Sequence, residues 1–408
     1  MVFYKPPINM GGMSALIKLP FIIALLSLVS CQSEAPELIS LLDYQARMKR
    51  LLEVDDDFNS RTNIKKEQGE ALLIGVDYPE PRQLKRPVKN ISIGWLDFFA
   101  SIDCPSLQAL IGQRNTPAGK HPDDATALLY ELQLKQLWHQ CSIKMNQLPD
   151  QLRSPLENKL KQFDREVWNR TWAGYYWQKL FSNNRNRQAF NKTSVSKVVM
   201  AIRQIRQAVQ AKPEQTINYA NIYSAFKIIE KHQGALGQLI FLLTEHQQTM
   251  ERINHWLEQK MTSICPQNIT TTQAKYLVGV LQKFYFTSVQ RQQSELTESF
   301  QQVKQELLQW SMFFPKKPTS NKANFEQWHR WQQWSLGEIN VKKLDFKKAD
   351  ILKPDTLKLD PIKLDPKNTI RNNNKGLASR LVSTVKQHVT IWQTFGKQCQ
   401  LTIRPMSR

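Results

Sequence analysis

Glycine is scarce in this chain of 408 residues, which contains only 14. Few segments alternate apolar and polar residues with the two-residue period of a half-buried β-strand. Apolar residues recur instead at helical spacing, as in the stripe Val198, Ile202, Ile205 and Val209. The pattern predicts an all-α fold, with a long irregular N-terminal region and a flexible Lys/Asp/Pro-rich segment before the last helix.

Motifs that would indicate a known catalytic chemistry are also absent. The chain has no H-E-x-x-H, no G-x-S-x-G, no G-x-G-x-x-G and no C-x-x-C. S-x-x-K occurs at Ser194–Lys197, Ser224–Lys227 and Ser383–Lys386, but without the S-D-N and K-T-G motifs that accompany it in penicillin-recognising enzymes. We interpret these pairs as helix surface, and we predict no catalytic residue, no metal and no cofactor.

Local signals mark several helix boundaries. Asp123 or Asp124 can cap the helix that follows them. Thr270 and Gln273 match a capping box before a helix that continues through Val289. Residues 219–261 form either one long helix or two, with Gly234 and Gly237 as a possible bend.

The apolar run from Leu19 to Val29 is too short to span a bilayer and has the length of a signal-peptide core. It ends in Leu28-Val29-Ser30-Cys31, which resembles a bacterial lipobox. The resemblance implies that residues 1–30 are a lipoprotein signal peptide, starting at Met1 or Met13, and that Cys31 is acylated. Because Gln32 rather than Asp follows the cysteine, we expect an anchor on the periplasmic face of the outer membrane.

Cysteine is sparse, with five in the chain. If Cys31 is acylated, Cys104, Cys141, Cys265 and Cys399 remain, and an even number in an oxidising compartment predicts two disulfides. Three pairings are possible. We favour Cys104 with Cys141 and Cys265 with Cys399, because the first two fall on adjacent predicted helices. The alternative is that some of them are free buried thiols.

Acidic residues are fewer than basic residues, and the formal net charge is +21. A basic chain usually indicates nucleic acid as a partner. A lipid-anchored periplasmic protein rarely meets nucleic acid, so we expect none. The anions of that compartment are phospholipid head groups, lipopolysaccharide phosphates and peptidoglycan carboxylates, and an anionic envelope ligand or a protein partner is expected beside the membrane itself.

No Asp or Glu occurs from Val167 to Pro213. The stretch predicts a basic surface, for which the candidates are Arg185, Arg187, Lys192, Lys197, Arg203 and Arg206. The aromatic residues between these cations are either part of that surface or a core stripe formed by Trp168, Trp172 and Tyr176. Trp328, Trp331 and Trp334 pose the same choice between a partner groove and core packing.

Composition divides the chain into five parts. The signal peptide, 1–30, is followed by an N-terminal helix and irregular linker, 31–92, and by a helical domain, 93–337. Residues 338–371 repeat Lys-Leu-Asp with proline and predict an extended segment. Residues 372–408 predict a C-terminal helix that packs on the main domain.

The stretch from Ile93 to Lys144 carries distinctive residues: Trp95-Leu96-Asp97-Phe98-Phe99, Cys104-Pro105-Ser106-Leu107, Arg114-Asn115-Thr116 and Leu128-Leu129-Tyr130-Glu131. They resemble a gammaproteobacterial lipoprotein family known only as domain of unknown function number thirty-eighty. The resemblance implies a helical envelope lipoprotein with Cys104 and Cys141 as a framework pair. It implies no activity, and the Lys-Leu-Asp repeats are not associated with it.

Arg114, Asn115, Thr116 and Lys120 form the best local candidate for a binding site, in a predicted loop between helices. Such a loop can hold a carboxylate or a phosphate, or it is a structural turn that caps the helices beside it. The leading hypothesis is a non-enzymatic lipoprotein that binds an anionic envelope component. The alternatives are an accessory lipoprotein of a protein machine and an unrecognised envelope hydrolase.

Overall fold

The computed structural model describes residues 36–54, 77–89, 91, 104–120, 122–144, 150–182, 190–314, 322–337 and 376–404. These residues belong to one unit, Ala35–Arg408. Helices account for its regular structure, and no β-strand occurs within the described ranges, which confirms the all-α prediction. The signal peptide, Cys31, Arg185, Arg187 and the segment 338–371 lie outside them.

The first half of the chain forms eight described helices, numbered here in chain order. They are α1 Pro36–Leu51, α2 Pro81–Leu84, α3 Pro105–Arg114, α4 Pro117–Lys120, α5 Asp124–Lys144, α6 Asp150–Leu160, α7 Phe163–Arg170 and α8 Tyr175–Phe181. Proline at the first position favours the start of α3, because that position needs no N–H donor. Asp123 caps α5, since its Oδ1 accepts from the Thr126 N–H at 2.7 Å.

The second half continues with longer helices. They are α9 Lys192–Gln210, α10 Tyr219–Lys231, α11 Ala235–Ile264, α12 Thr272–Val280, α13 Gln290–Phe313, α14 Lys322–Leu336 and α15 Leu377–Gln398, with a π-helical segment, Leu281–Val289, between α12 and α13. Residues 219–261 therefore form two helices, and Gly234 begins the second with a left-handed φ of 76°.

The predicted capping box before α12 is wrong by one residue. Thr271 caps the helix, since its hydroxyl accepts from the Ala274 N–H at 3.2 Å. Thr270 instead donates to the Cys399 carbonyl at 2.5 Å, and the Gln273 amide donates to the Leu51 carbonyl at 2.6 Å. These tertiary hydrogen bonds, to the end of α1 and to the end of α15, occupy both side chains, so neither takes part in local capping.

Two hydrophobic cores share α11. Its first half packs Leu236, Leu239 and Leu243 into a core built with α8, α9, α10 and α13. Its second half packs Met250 and Leu257 into a second core with α1, α12, the π-helical segment and α15. The 30-residue length of α11 is therefore what joins the two cores.

The cysteines pair as favoured above. Cys104 and Cys141 lie with Cα atoms 6.0 Å apart and join α3 to α5 over a small third cluster that includes Leu107 and Leu134. Cys265 and Cys399, with Cα atoms 5.4 Å apart, close the second core. Each pair lies at disulfide distance and is partly or fully buried.

The end of α14 and the residue just before α15 are in direct contact. A Cβ added to Gly376 would lie 2.4 Å from the Leu336 carbonyl carbon and 2.6 Å from the Gly337 nitrogen. Backbone therefore touches backbone there, which only glycine at position 376 permits.

Candidate functional site

A cavity of about 300 Å³ opens between α3, α5, α6, α7 and the segment that follows α2. Leu134 and Leu156 form apolar parts of its wall. Its charged residues are five cations and one carboxylate, namely Arg86, Lys89, Arg114, Lys159, Arg170 and Glu166. An excess of cations around a cavity favours an anionic ligand.

Side chains of α7 hold the segment that carries Arg86 and Lys89. Asn169 accepts from the Arg86 N–H at 2.7 Å and donates to the Arg86 carbonyl at 2.8 Å. Gln162, just before α7, accepts from the Lys89 N–H at 2.6 Å. The Arg86 guanidinium lies 3.8 Å from the centre of the Trp168 ring, a cation–π contact. The segment is therefore fixed without any regular structure of its own.

Lys159 and Arg170 are neutralised by carboxylates. Lys159 Nζ lies 2.9 Å from Glu131 and also contacts Glu166. Arg170 lies 3.4 Å from Asp124 and 3.7 Å from Glu166. Burial raises the pKa of the Glu131 carboxyl, although the neighbouring Lys159 acts in the opposite direction. These two cations therefore belong to an internal ion-pair cluster rather than to a site for an external anion.

Arg86, Lys89 and Arg114 differ from them. Within the part of the chain that the structure describes, no carboxylate lies within 4 Å of these three cations. Burial lowers the pKa of Arg86 to about 10, while the charge of Asp164 raises it, so the guanidinium stays charged at neutral pH. These three residues, Arg86, Lys89 and Arg114, form the cationic wall of the cavity.

The predicted loop site is divided by the structure. Arg114 lines the cavity and donates through Nη1 to the Gly119 carbonyl. Thr116 builds the turn, because its hydroxyl donates to the Gln113 carbonyl at 2.8 Å and accepts from the Gly119 N–H at 3.1 Å. Asn115 and Lys120 are exposed and are not part of the cavity wall. The turn is structural, and its binding potential is confined to Arg114.

The predicted basic surface is smaller than the sequence suggests. Lys192 pairs with Glu298 of α13 at 2.8 Å, while Arg203 and Arg206 both pair with the buried Glu306, at 3.1 and 2.5 Å. Lys197 is exposed. The local sequence of α9 contains no acid, but α13 packs on this helix and supplies two.

Most of the tryptophans that the sequence left ambiguous are core residues, and Trp334 is half-buried against the same core. Trp168, Trp172 and Tyr176 are buried, and so are Trp328 and Trp331. Trp168 and Trp172 both contact Trp328 edge to face, with ring centres 5.1 and 5.6 Å apart. A partner groove on α14 would need these rings at the surface, so the helix packs inward instead.

The remaining motifs form no catalytic arrangement within the described residues. None of the three Ser–Lys pairs is joined by a hydrogen bond there; Lys227, for example, binds Glu230 at 2.8 Å. No three His, Cys, Asp or Glu side chains converge there as metal ligands would. Nor does any helix in the described ranges have the length and apolar character needed to cross a bilayer.

Sequence reasoning found one residue of the cationic wall, Arg114, and missed Arg86 and Lys89. Both belong to the proline-rich segment around Pro79, Pro81 and Pro87, which the sequence marks only as irregular. Nothing local indicates that this segment faces α3 and α7, because the hydrogen bonds that hold it come from residues more than 70 positions away.

A family model described as "Protein of unknown function (DUF3080)" matches residues 41–403. No curated protein and no solved structure matches the chain.

Proposed function

The chain belongs to the DUF3080 family of unknown function, whose model covers residues 41–403 and confirms the resemblance noted in its sequence, and we propose that it binds an anionic ligand in its cavity. We propose that the protein is a non-enzymatic component of the cell envelope. The proposal rests on the chemistry of the cavity wall, since the function of the family is unknown.

The cationic wall is the single observation that carries the proposal. Arg86, Lys89 and Arg114 surround about 300 Å³ of open space without a carboxylate partner among the described residues. All three line the same cavity, and an excess of cations around a cavity favours an anionic ligand. Arginine is also suited to bind carboxylate or phosphate oxygens through two parallel N–H groups.

The other residues that line the cavity limit the class of ligand. Leu134 and Leu156 are apolar, and Tyr130 lies within reach of Arg114, with the guanidinium 5.7 Å from its ring centre. A ligand that fits has one carboxylate or phosphate and a small apolar portion. Phospholipid glycerophosphates and the carboxylated peptides of the cell wall both have this chemistry.

The proposed location is the cell envelope, through acylation of Cys31. The lipobox-like run Leu28-Val29-Ser30-Cys31 supports it, and the two cysteine pairs at disulfide distance suit an oxidising compartment. The mass of the N-terminal peptide from fractionated membranes tests it. A peptide that begins at unmodified Met1 or Met13 would contradict the anchor.

Calorimetric titration of the purified full chain at low ionic strength tests the cavity. The probes are glycerol 3-phosphate, succinate and, as the uncharged comparison, glycerol. We expect binding of at least one anion and none of glycerol. Arg114→Gln should weaken that binding about 10- to 100-fold, because a hydrogen bond to a charged group contributes roughly 1.5–3 kcal/mol.

Two further variants make the result decisive. Lys89→Gln should also weaken binding, and its side chain makes no contact that the fold depends on in the described structure. Lys231→Gln, on the exposed end of α10, should leave affinity unchanged. Equal affinity in Arg114→Gln, Lys89→Gln and the Lys231 control would overturn the proposal.

A further inference from the structure

A second surface, near the Cys265–Cys399 pair, combines positive charge with exposed apolar side chains. Two acid-free stretches form it. No Asp or Glu occurs from residue 259 to residue 294, or from residue 366 to residue 408. Unlike the stretch around α9, these two stretches pack against each other in the second core.

The exposed residues of this end are unusual for the chain. Ile269 is 60% exposed and Tyr276 is 63% exposed, and they are the two most exposed of the large apolar side chains in the described ranges. Lys275 and Lys283 are exposed on the same segment. Gly279 lies between them, and a Cβ there would contact nothing within 4 Å.

Hydrogen bonds to the C-terminal residues bring these groups close to the Cys265–Cys399 pair. Thr270, next to Ile269, donates to the Cys399 carbonyl at 2.5 Å. Gln282, next to Lys283, donates to the Arg404 carbonyl at 3.0 Å. Arg404 is exposed. We name the five exposed residues Ile269, Lys275, Tyr276, Lys283 and Arg404 the disulfide-end patch.

Acidic groups on adjoining elements leave the patch basic. Asp43 of α1 is paired with Arg47 at 2.9 Å, and Glu258 of α11 accepts from Gln387 at 3.0 Å. Glu53, exposed just beyond α1, is the acid at the adjoining end of that helix. Because the Gln387 amide is neutral, Glu258 keeps its charge, so three cations of the patch adjoin two exposed carboxylates, Glu53 and Glu258, and the balance stays positive.

We propose that the disulfide-end patch docks on an anionic lipid surface, a function separate from the cavity. Tyrosine and aliphatic side chains next to lysines are the combination that partitions into the boundary between head groups and acyl chains. The cations attract the anionic head groups, and Ile269 and Tyr276 enter the interface. A soluble acidic partner would account for the charges but not for two apolar side chains left in water.

An environment-sensitive fluorophore at position 276 tests this locally, whatever anchors the rest of the chain. The full chain carries Cys31→Ser, so that only the introduced Tyr276→Cys reacts, and the control chain carries the label through Tyr223→Cys on α10. Vesicles contain phosphatidylcholine alone or with 30 mol% phosphatidylglycerol. We expect a blue shift of emission at position 276 with the anionic vesicles, and no shift at position 223.

Charge and specificity are tested on the same label. Lys275→Glu with Lys283→Glu should weaken vesicle binding by at least 25-fold, since each lysine near an anionic surface contributes a factor of about five. Equal shifts at positions 276 and 223, or equal shifts with both kinds of vesicle, would overturn the proposal. A shift produced by poly-glutamate but not by vesicles would assign the patch to an acidic polymer and overturn it as well.

Discussion

Glu306 is a buried carboxylate between two arginines that differ in exposure. The side chain of Arg206 is 12% exposed and that of Arg203 is 52% exposed, while Glu306 is 2% exposed. A buried ion pair that loses one partner leaves an uncompensated charge, whereas a half-exposed cation is screened by water. The two arginines should therefore contribute very differently to stability.

Replacing each arginine with methionine separates these contributions, because methionine keeps much of the apolar stem. Arg206→Met should lower the free energy of unfolding by about 3 kcal/mol, and Arg203→Met by less than about 1 kcal/mol. Urea denaturation measures both. Similar losses for the two variants would show that Glu306 does not depend on the buried partner.

His388 occupies the centre of a buried polar network in the second core. The indole N–H of Trp392 can only donate, so the Nε2 atom of His388, 3.0 Å away, must accept. The Tyr44 hydroxyl lies 3.0 Å from the same nitrogen, and Nδ1 carries the proton toward Asn254 Oδ1 at 2.6 Å. Burial lowers the pKa of His388 to about 3. A proton on Nε2 would make this atom a donor that faces a second donor, the indole N–H of Trp392.

This histidine makes stability depend on pH. Its pKa is about 3 when folded and near 6.5 when unfolded, so between these values the unfolded chain binds more protons and stability rises with pH. Burial of His246, which lowers its pKa to about 4, acts in the same direction. Between pH 5 and 6 each histidine should add about 1 kcal/mol per pH unit to the free energy of unfolding.

Comparison with His388→Gln isolates one of the two contributions. Carboxyls whose pKa burial raises, such as Glu131 and Glu245, act in the opposite direction but are common to both chains. The slope of unfolding free energy against pH, from urea denaturation at pH 5, 5.5 and 6, should fall by about 1 kcal/mol per unit in the variant. An unchanged slope would mean that His388 is protonated in the folded chain.

At the scale of elements, the end of α15 carries a strained residue. Gln400 has φ of 52°, in the left-handed region, and follows the last helical turn. The Leu401 N–H donates to the Gly396 carbonyl at 2.8 Å and the Gln400 N–H to the Lys397 carbonyl at 3.3 Å, a Schellman motif with glutamine where glycine is usual. A Cβ on Gly396 would lie 2.9 Å from the Leu401 carbonyl oxygen.

Two substitutions at this end should have opposite effects. Gln400→Gly should raise the free energy of unfolding by about 1 kcal/mol, because it removes the left-handed strain. Gly396→Ala should lower it, since the returning backbone must move. Gln393→Gly, at an exposed position inside α15, serves as the control and should lower the free energy of unfolding by about 1 kcal/mol. Thermal or urea unfolding measures these changes. A loss of stability in Gln400→Gly would show that the backbone at position 400 is not strained.

Elements with a strong helical period could be predicted from the sequence. The stripe Val198, Ile202, Ile205 and Val209 is fully buried, as its spacing indicates. The π-helical segment could not be predicted. Its buried residues, Leu281, Tyr285 and Val289, repeat every four residues, which drifts by about 40° per step on an α-helix. The segment packs against α1 in the second core, a long-range contact that its local sequence does not indicate.

At the scale of the whole molecule, the candidate site was the least predictable feature. The cationic wall joins Arg86 and Lys89 to Arg114, and α5, α6 and α7 complete the cavity. Charge compensation was equally hidden, because Glu298 and Glu306 lie about 100 residues from their partners on α9. Local spacing predicts which face of a helix is buried, but not which helix supplies the opposite charge.

The two cysteine pairs constrain the molecule over different lengths of chain. Cys265 and Cys399 are 134 residues apart, and Cys104 and Cys141 are 37 apart. Chain-entropy bookkeeping assigns about 5 kcal/mol to the longer loop and about 4 kcal/mol to the shorter. Replacing Cys265 and Cys399 with alanine should therefore cost more than the same change at Cys104 and Cys141. Urea denaturation under oxidising conditions tests the order, which the reverse ranking would contradict.

Gly376 touching the backbone of Leu336 and Gly337 has a consequence for how this family can evolve. The chain departs and returns at one point, so the number of residues between those positions is nearly free of energetic cost; doubling a loop adds only about 0.6 kcal/mol. Duplication of a Lys-Leu-Asp unit can lengthen the segment without displacing α14 or α15. The junction is thus a natural insertion point, where relatives can differ in length and a foreign domain can be grafted.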